Sequence, residues 1–161
     1  MNLQQLFTMQ KELDDFIEQT QNIQQDVFQE KGLALMVELA ELANETRCFK
    51  FWSTKGPSAR EVILEEYVDS IHFILSLGLL KGYTAIEKWP VVEESRNLTA
   101  TFLETQNVIL SFIQQPTEGR YLAIWQCYGI LAHNLDFTFE DVVRAYIEKN
   151  QENYNRQRSG Y

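Results

Sequence analysis

Two acidic clusters at helical spacing hold the residues most able to do chemistry. In Val37-Glu38-Leu39-Ala40-Glu41-Leu42-Ala43-Asn44-Glu45, a helix at about 100° per residue brings Glu38, Glu41 and Glu45 within about 60° of one another. Like charges so placed destabilise an isolated helix by roughly a few tenths of a kcal/mol per pair, and Lys31 and Arg47 only flank the stretch. The second cluster is Glu65-Glu66-Tyr67-Val68-Asp69, followed by Ser70-Ile71-His72-Phe73. Its Glu66 and Asp69 are an i, i+3 pair and project from one face. An acidic stripe is by default a solvated face. Here Leu33, Leu35, Leu39 and Leu42 share the first helix, and Val62, Leu64, Val68, Ile71, Ile74 and Leu75 the second, so little is left for water. Carboxylates buried without partners carry a heavy desolvation cost. Two such pairs can hold hard divalent cations, and Mg²⁺ takes oxygen ligands that it commonly shares with substrate phosphates.

The elements that must position these groups are helices. Apolar residues recur at helical spacing between the three prolines, Pro57, Pro90 and Pro116, and not at the period of a strand. Leu3, Leu6, Phe7, Leu13, Ile17 and Ile23 predict a first helix, and Leu33 to Leu42 a second that ends near an Arg47–Lys55 loop. Pro57 predicts the start of a third, since proline suits a first turn; it runs to about Leu80, with Gly82 as its stop. A fourth covers Leu98 to Phe112, a fifth Tyr121 to Leu131, and a sixth begins at Thr138, where Thr138-Phe139-Glu140-Asp141 supplies a cap and early negative charge. The expectation is an all-α bundle of about six helices in one domain, residues 1–161, with its core completed by a second subunit.

The bulk composition narrows the classes. A net charge of −9 argues against nucleic acid as a partner, although not against a nucleotide, because a metal cluster reverses the local field. Cys48 and Cys127 stand far apart, which speaks against a disulfide framework and for a reducing cytoplasm. The start lacks the basic and apolar run of a signal peptide, and no apolar stretch approaches the ~20 residues of a membrane helix.

Glu38-x-x-Glu41 and Glu66-x-x-Asp69 resemble the metal-binding signature of the all-α nucleoside triphosphate pyrophosphatases, and within them the dimeric dUTPases. The likeness extends from Met9-Gln10-Lys11-Glu12-Leu13-Asp14 through Glu45-Thr46-Arg47-x-Phe49-Lys50-x-Trp52 and Glu65-to-Phe73. It closes on Lys149-Asn150-x-x-Asn153-x-x-Arg156-Gln157-x-x-Gly160-Tyr161. The resemblance implies hydrolysis of dUTP, and of dUDP, to dUMP by a homodimer that uses two or more Mg²⁺ ions. Glu38, Glu41, Glu66 and Asp69 are then the metal ligands, with Glu38 or Glu41 activating the attacking water. Gln10, Asp14, His72 and Phe73 line a uracil pocket that Trp52 closes. Lys149, Asn150, Asn153 and Arg156, with Lys50 or Lys55, meet the phosphates. Asp14 stands where the family commonly shows an amide. Lys149, Asn153, Arg156, Gln157 and Gly160 also share one face if the last helix persists, either to meet phosphate or as a solvated end. The rival readings are a dCTP-directed or broader nucleotide pyrophosphatase of the same fold, and a helical module that binds a protein partner.

Overall fold

The computed structural model describes residues 1–161 and contains six helices and no strand. They are α1 (Leu3–Thr20), α2 (Phe28–Thr46), α3 (Arg60–Lys81), α4 (Leu98–Gln114), α5 (Glu118–Asn134) and α6 (Phe139–Arg158). Local chemistry sets most of the boundaries. Asn2 and Gln5 form a capping box on α1, Thr138 and Asp141 another on α6, and Asn97 and Thr117 cap α4 and α5. Gly82 ends α3 in the left-handed conformation, with φ of 74°.

Two boundaries differ from expectation. Pro57 does not open α3, which begins at Arg60. Instead, the Ser58 amide donates to the Glu45 carbonyl at 3.0 Å and its hydroxyl donates to the Glu45 carboxylate, so residues 57–59 are tied back onto the end of α2. Ile23 lies beyond α1, which stops at Thr20; Asn22 turns the chain with φ of 53°, and the Ile23 amide returns to Glu18.

α3 is apolar around most of its circumference and is the central element, packed against α1, α2 and α6. α2 also packs on α4, and α4 on α5. Leu35, Leu39 and Leu42 are wholly buried, whereas Leu33 (63% exposed) and Val37 (48%) face out from the opposite side of α2. Buried tyrosines lock α5 to α3: the Tyr67 hydroxyl donates to the Tyr128 carbonyl at 2.7 Å and the Tyr121 hydroxyl to the Ile74 carbonyl at 2.8 Å. Gly78 makes the second lock possible, because a Cβ there would lie 2.2 Å from the Tyr121 hydroxyl oxygen.

Gly78→Ala is therefore an overpacking mutation, expected to destabilise by ~1–3 kcal/mol. At roughly 2–4 °C per kcal/mol for a domain of this size, thermal unfolding should show a clear drop in Tm. An unchanged Tm would contradict this packing.

Candidate active site

The carboxylates meet where the C-terminal half of α2 lies along the middle of α3. Glu38, Glu66 and Asp69 each bring one oxygen within 4.8 Å of the others, and all three are half-buried. Glu41 hydrogen-bonds with Glu38 from the next turn of α2. Burial, that hydrogen bond and the charges of Asp69, Glu41 and Glu66 push Glu38 up to about 8. Burial and the charges of Asp69 and Glu41 push Glu66 up to about 7. Burial raises Asp69 to about 6 against the opposing pull of Lys149. These groups crowd together with too little counter-charge. Glu38 Oε2 is buried and has no hydrogen-bond partner. A donor set made only of oxygens, with one of them orphaned, fits a hard cation such as Mg²⁺.

Beside the cluster lies a cavity of about 360 Å³ walled by four helices. Gln10 and Asp14 come from α1, Glu38 from α2, Asp69, His72 and Phe73 from α3, and Asn153 and Arg156 from α6. Its inner wall is a hydrogen-bonded chain. Gln10 Oε1 sits 2.7 Å from His72 Nδ1 and accepts from the Tyr146 hydroxyl at 2.9 Å. Gln10 Nε2 donates to Asp14 Oδ1 at 2.9 Å, and Ser76 Oγ donates to Asp14 Oδ2 at 2.6 Å. Lys31 Nζ donates to Ser76 Oγ at 2.6 Å and stands 3.6 Å from Asp14 Oδ2. The imidazole of His72 stacks on Tyr146, with centroids 4.2 Å apart. Burial, helped by the Lys149 charge, lowers His72 to about 3, so the ring is neutral at neutral pH. Lys31, Ser76 and Tyr146 escaped the sequence reading. Their signal was positional: Ser76 lies one helical turn beyond His72, and Tyr146 one turn before Asn150.

Other expected residues do not line this cavity. Lys50, Trp52 and Lys55 lie in the loop between α2 and α3, where Trp52 is 64% exposed and packs edge-on against Phe49 and Phe51. Lys149 is turned into the protein and bound by carboxylates: Nζ lies 2.7 Å from Glu65, 3.3 Å from Asp69 and 3.4 Å from Glu152. Burial works against its charge, yet these acids outweigh burial and hold its pKa above the usual lysine value. Asn150 is buried, with Nδ2 unpartnered. Arg156 reaches the cavity but is 2.5 Å from Glu152. Gly160 shares no helical face with Lys149, since α6 ends at Arg158 and Gly160 has φ of 83°.

Acidic pairs on two packed helices beside a polar cavity are the frame of an all-α nucleotide hydrolase. The family described as dUTPase matches residues 2–161, and the chain belongs to that family, whose members hydrolyse dUTP. No individual curated protein matches it.

The raised carboxylates make stability depend on pH. Free carboxyl groups in an unfolded chain titrate near about 4, so above that the folded, metal-free protein binds the extra protons. Stability then falls as pH rises through the folded values of Glu66 and Glu38. His72 acts oppositely, but only below its unfolded value of about 6.5. In EDTA, Tm should decline between about pH 6.5 and about pH 8.5, and Glu38→Gln should remove much of that decline. A Tm that climbs over this interval would contradict the crowding.

Proposed function

We propose that the chain, acting as one domain, hydrolyses dUTP to dUMP and pyrophosphate with Mg²⁺ held by Glu38, Glu41, Glu66 and Asp69. The observation that carries this is the convergence of Glu38, Glu66 and Asp69 at the edge of the cavity. When bound, Mg²⁺ supplies charge neutralisation on the phosphate oxygens and a lower pKa for attacking water. Glu38 or Glu41 takes the proton from that water. Gln10 and His72 read the uracil edge, and Phe73 stacks on the base. The cavity volume is within the range of about 300–1,000 Å³ of small-ligand sites. Asn153 and Arg156 meet the phosphates from α6, and Arg156 exchanges Glu152 for the triphosphate. Lys149 and Asn150 support them from the same helix. Trp52 closes the pocket and Lys50 or Lys55 joins the phosphates when the loop between α2 and α3 folds inward. Asp14, whose oxygens are taken up by Gln10 and Ser76, acts from behind the base. Attack falls on the β-phosphorus, so dUDP is cleaved to dUMP and phosphate.

Product release from a panel of nucleotides, with Mg²⁺ and with EDTA, tests the reading. Turnover should require Mg²⁺ and favour dUTP, with thymine excluded by shape alone, worth about 1–3 kcal/mol. Equal turnover of dCTP and dUTP contradicts the uracil pocket. Hydrolysis in ¹⁸O-labelled water should place label in pyrophosphate; label in dUMP contradicts attack at the β-phosphorus.

The working form is a homodimer of the cytoplasm, where both cysteines stay as free thiols. Exposed Leu33 and Val37 on α2 and Leu103 and Leu110 on α4 support it, since the two helices adjoin and apolar side chains clustered on a surface seek a partner. Light scattering should give twice the chain mass of 18.9 kDa at micromolar concentration; a monomer contradicts this.

A further inference from the structure

We propose that Lys31 is a specificity-determining residue that donates to the 4-carbonyl oxygen of uracil and so selects a 4-oxo over a 4-amino pyrimidine. The proposal rests on the uracil reading above and adds to it a contact at the far edge of the base. It follows from how α2 and α3 pair. Lys31 Nζ donates to Ser76 Oγ at 2.6 Å, and Glu38 and Asp69 bring oxygens within 4.8 Å of each other. Each helix covers the interval between these two meetings in seven residues, from Lys31 to Glu38 and from Asp69 to Ser76. Seven residues are two turns, so on each helix the two positions share one face and lie about 10 Å apart along it. All four side chains line the cavity, and so does Phe73, which stands between Asp69 and Ser76. A nucleotide whose phosphates share a cation with Glu38 and Asp69, and whose base lies on Phe73, runs along this track toward Lys31.

Lys31 is equipped to read a carbonyl there. Its side chain is 17% exposed and borders the cavity. An ammonium has three protons and can only donate. Ser76 Oγ takes one, and the single ion pair is with Asp14 Oδ2 at 3.6 Å, so at least one proton has no acceptor in the chain. Asp14, which also lines the cavity, supplies the compensating charge and accepts from Ser76 at 2.6 Å, so the two side chains hold the ammonium in place. A neutralised cation suits a neutral carbonyl, while the phosphates follow the metal two turns away. C4 of uracil carries an oxygen, which accepts. C4 of cytosine carries an amino group, which sets donor against donor. The methyl of thymine sits on C5 and leaves the 4-oxygen unchanged, so Lys31 separates uracil from cytosine and not from thymine.

The test is calorimetric binding, with Mg²⁺ present, of uncleavable α,β-imido deoxynucleoside triphosphates to the full chain. The bases are uracil, thymine, cytosine and 2-pyrimidinone, which has no substituent at C4. The parent should bind the uracil nucleotide about tenfold or more tighter than the 2-pyrimidinone one, the scale of one hydrogen bond to a charged group. Lys31→Met should bind these two equally and narrow the uracil-to-cytosine ratio by a similar factor, with the uracil-to-thymine ratio unchanged. Lys31→Met combined with Asp14→Asn, which leaves no unpaired carboxylate, should behave the same way. A parent indifferent to the 4-oxygen overturns the proposal without any variant, even if Lys31→Met fails to fold. A folded variant that keeps the parental preference, or that loses affinity for all four bases equally, overturns it as well. In each of those cases dUTP turnover by the parent leaves the functional reading intact and removes only Lys31 from base reading. A parent that neither binds the uracil nucleotide nor hydrolyses dUTP defeats the functional reading and the proposal with it.

Discussion

Electrostatic crowding between α2 and α3 is the constraint on which the rest of this molecule turns. Three half-buried carboxylates, Glu38, Glu66 and Asp69, converge on a partly dry gap with exposed Glu41 beside them, and the charge facing them is a single lysine that three acids already share. Folding alone does not relieve such a cluster. Protons relieve it in part, which is why burial and mutual repulsion lift Glu38, Glu66 and Asp69 out of the ordinary carboxylate range. A divalent cation relieves it more completely. The strain is tolerable because α2 and α3 pack on each other through wholly buried side chains, Leu35, Leu39 and Leu42 among them, which opposes splaying of the two helices.

The same rigidity serves the polar wall of the cavity. Hydrogen bonds run from Lys31 through Ser76, Asp14 and Gln10 to His72. One end of the cavity is thus acidic, and the other is walled by this hydrogen-bonded chain. α6 joins the two ends. Its Tyr146 supports the hydrogen-bonded end, its Lys149 steadies Asp69 at the acidic end, and its Asn153 and Arg156 line the cavity.

Much of this was legible in the sequence, because helical periodicity and i, i+3 spacing are local. The acidic pairs of Glu38 with Glu41 and of Glu66 with Asp69, and the caps at Gly82 and Thr138, are set by residues within one turn of each other. What escaped was non-local. Pro57 is a sound helix opener in isolation, yet Ser58 is captured by Glu45 from the preceding helix. Lys149 reads as a free basic group on an acidic protein until folding places Glu65 and Asp69 against it. Lys31 and Ser76, distant in sequence from Asp14, carry no periodic signal that marks them as its partners. The exposed Leu33 looks like core in any apolar count and faces outward in the folded chain.

Glu66 is the cleanest probe of the central claim, since it has no cationic partner to strand, whereas removal of Asp69 would leave Lys149 short of a counter-charge. Thermal unfolding of the parent and Glu66→Gln, each in EDTA and in Mg²⁺, decides between a metal site and a structural ion pair. In EDTA the mutant should be as stable as the parent or more so. Mg²⁺ should stabilise the parent by RT ln(1 + [Mg²⁺]/Kd), about 2.7 kcal/mol at a hundredfold excess over Kd, and should stabilise the mutant less. A mutant that loses many degrees in EDTA, or a parent indifferent to Mg²⁺ with a nucleotide present, would contradict the account.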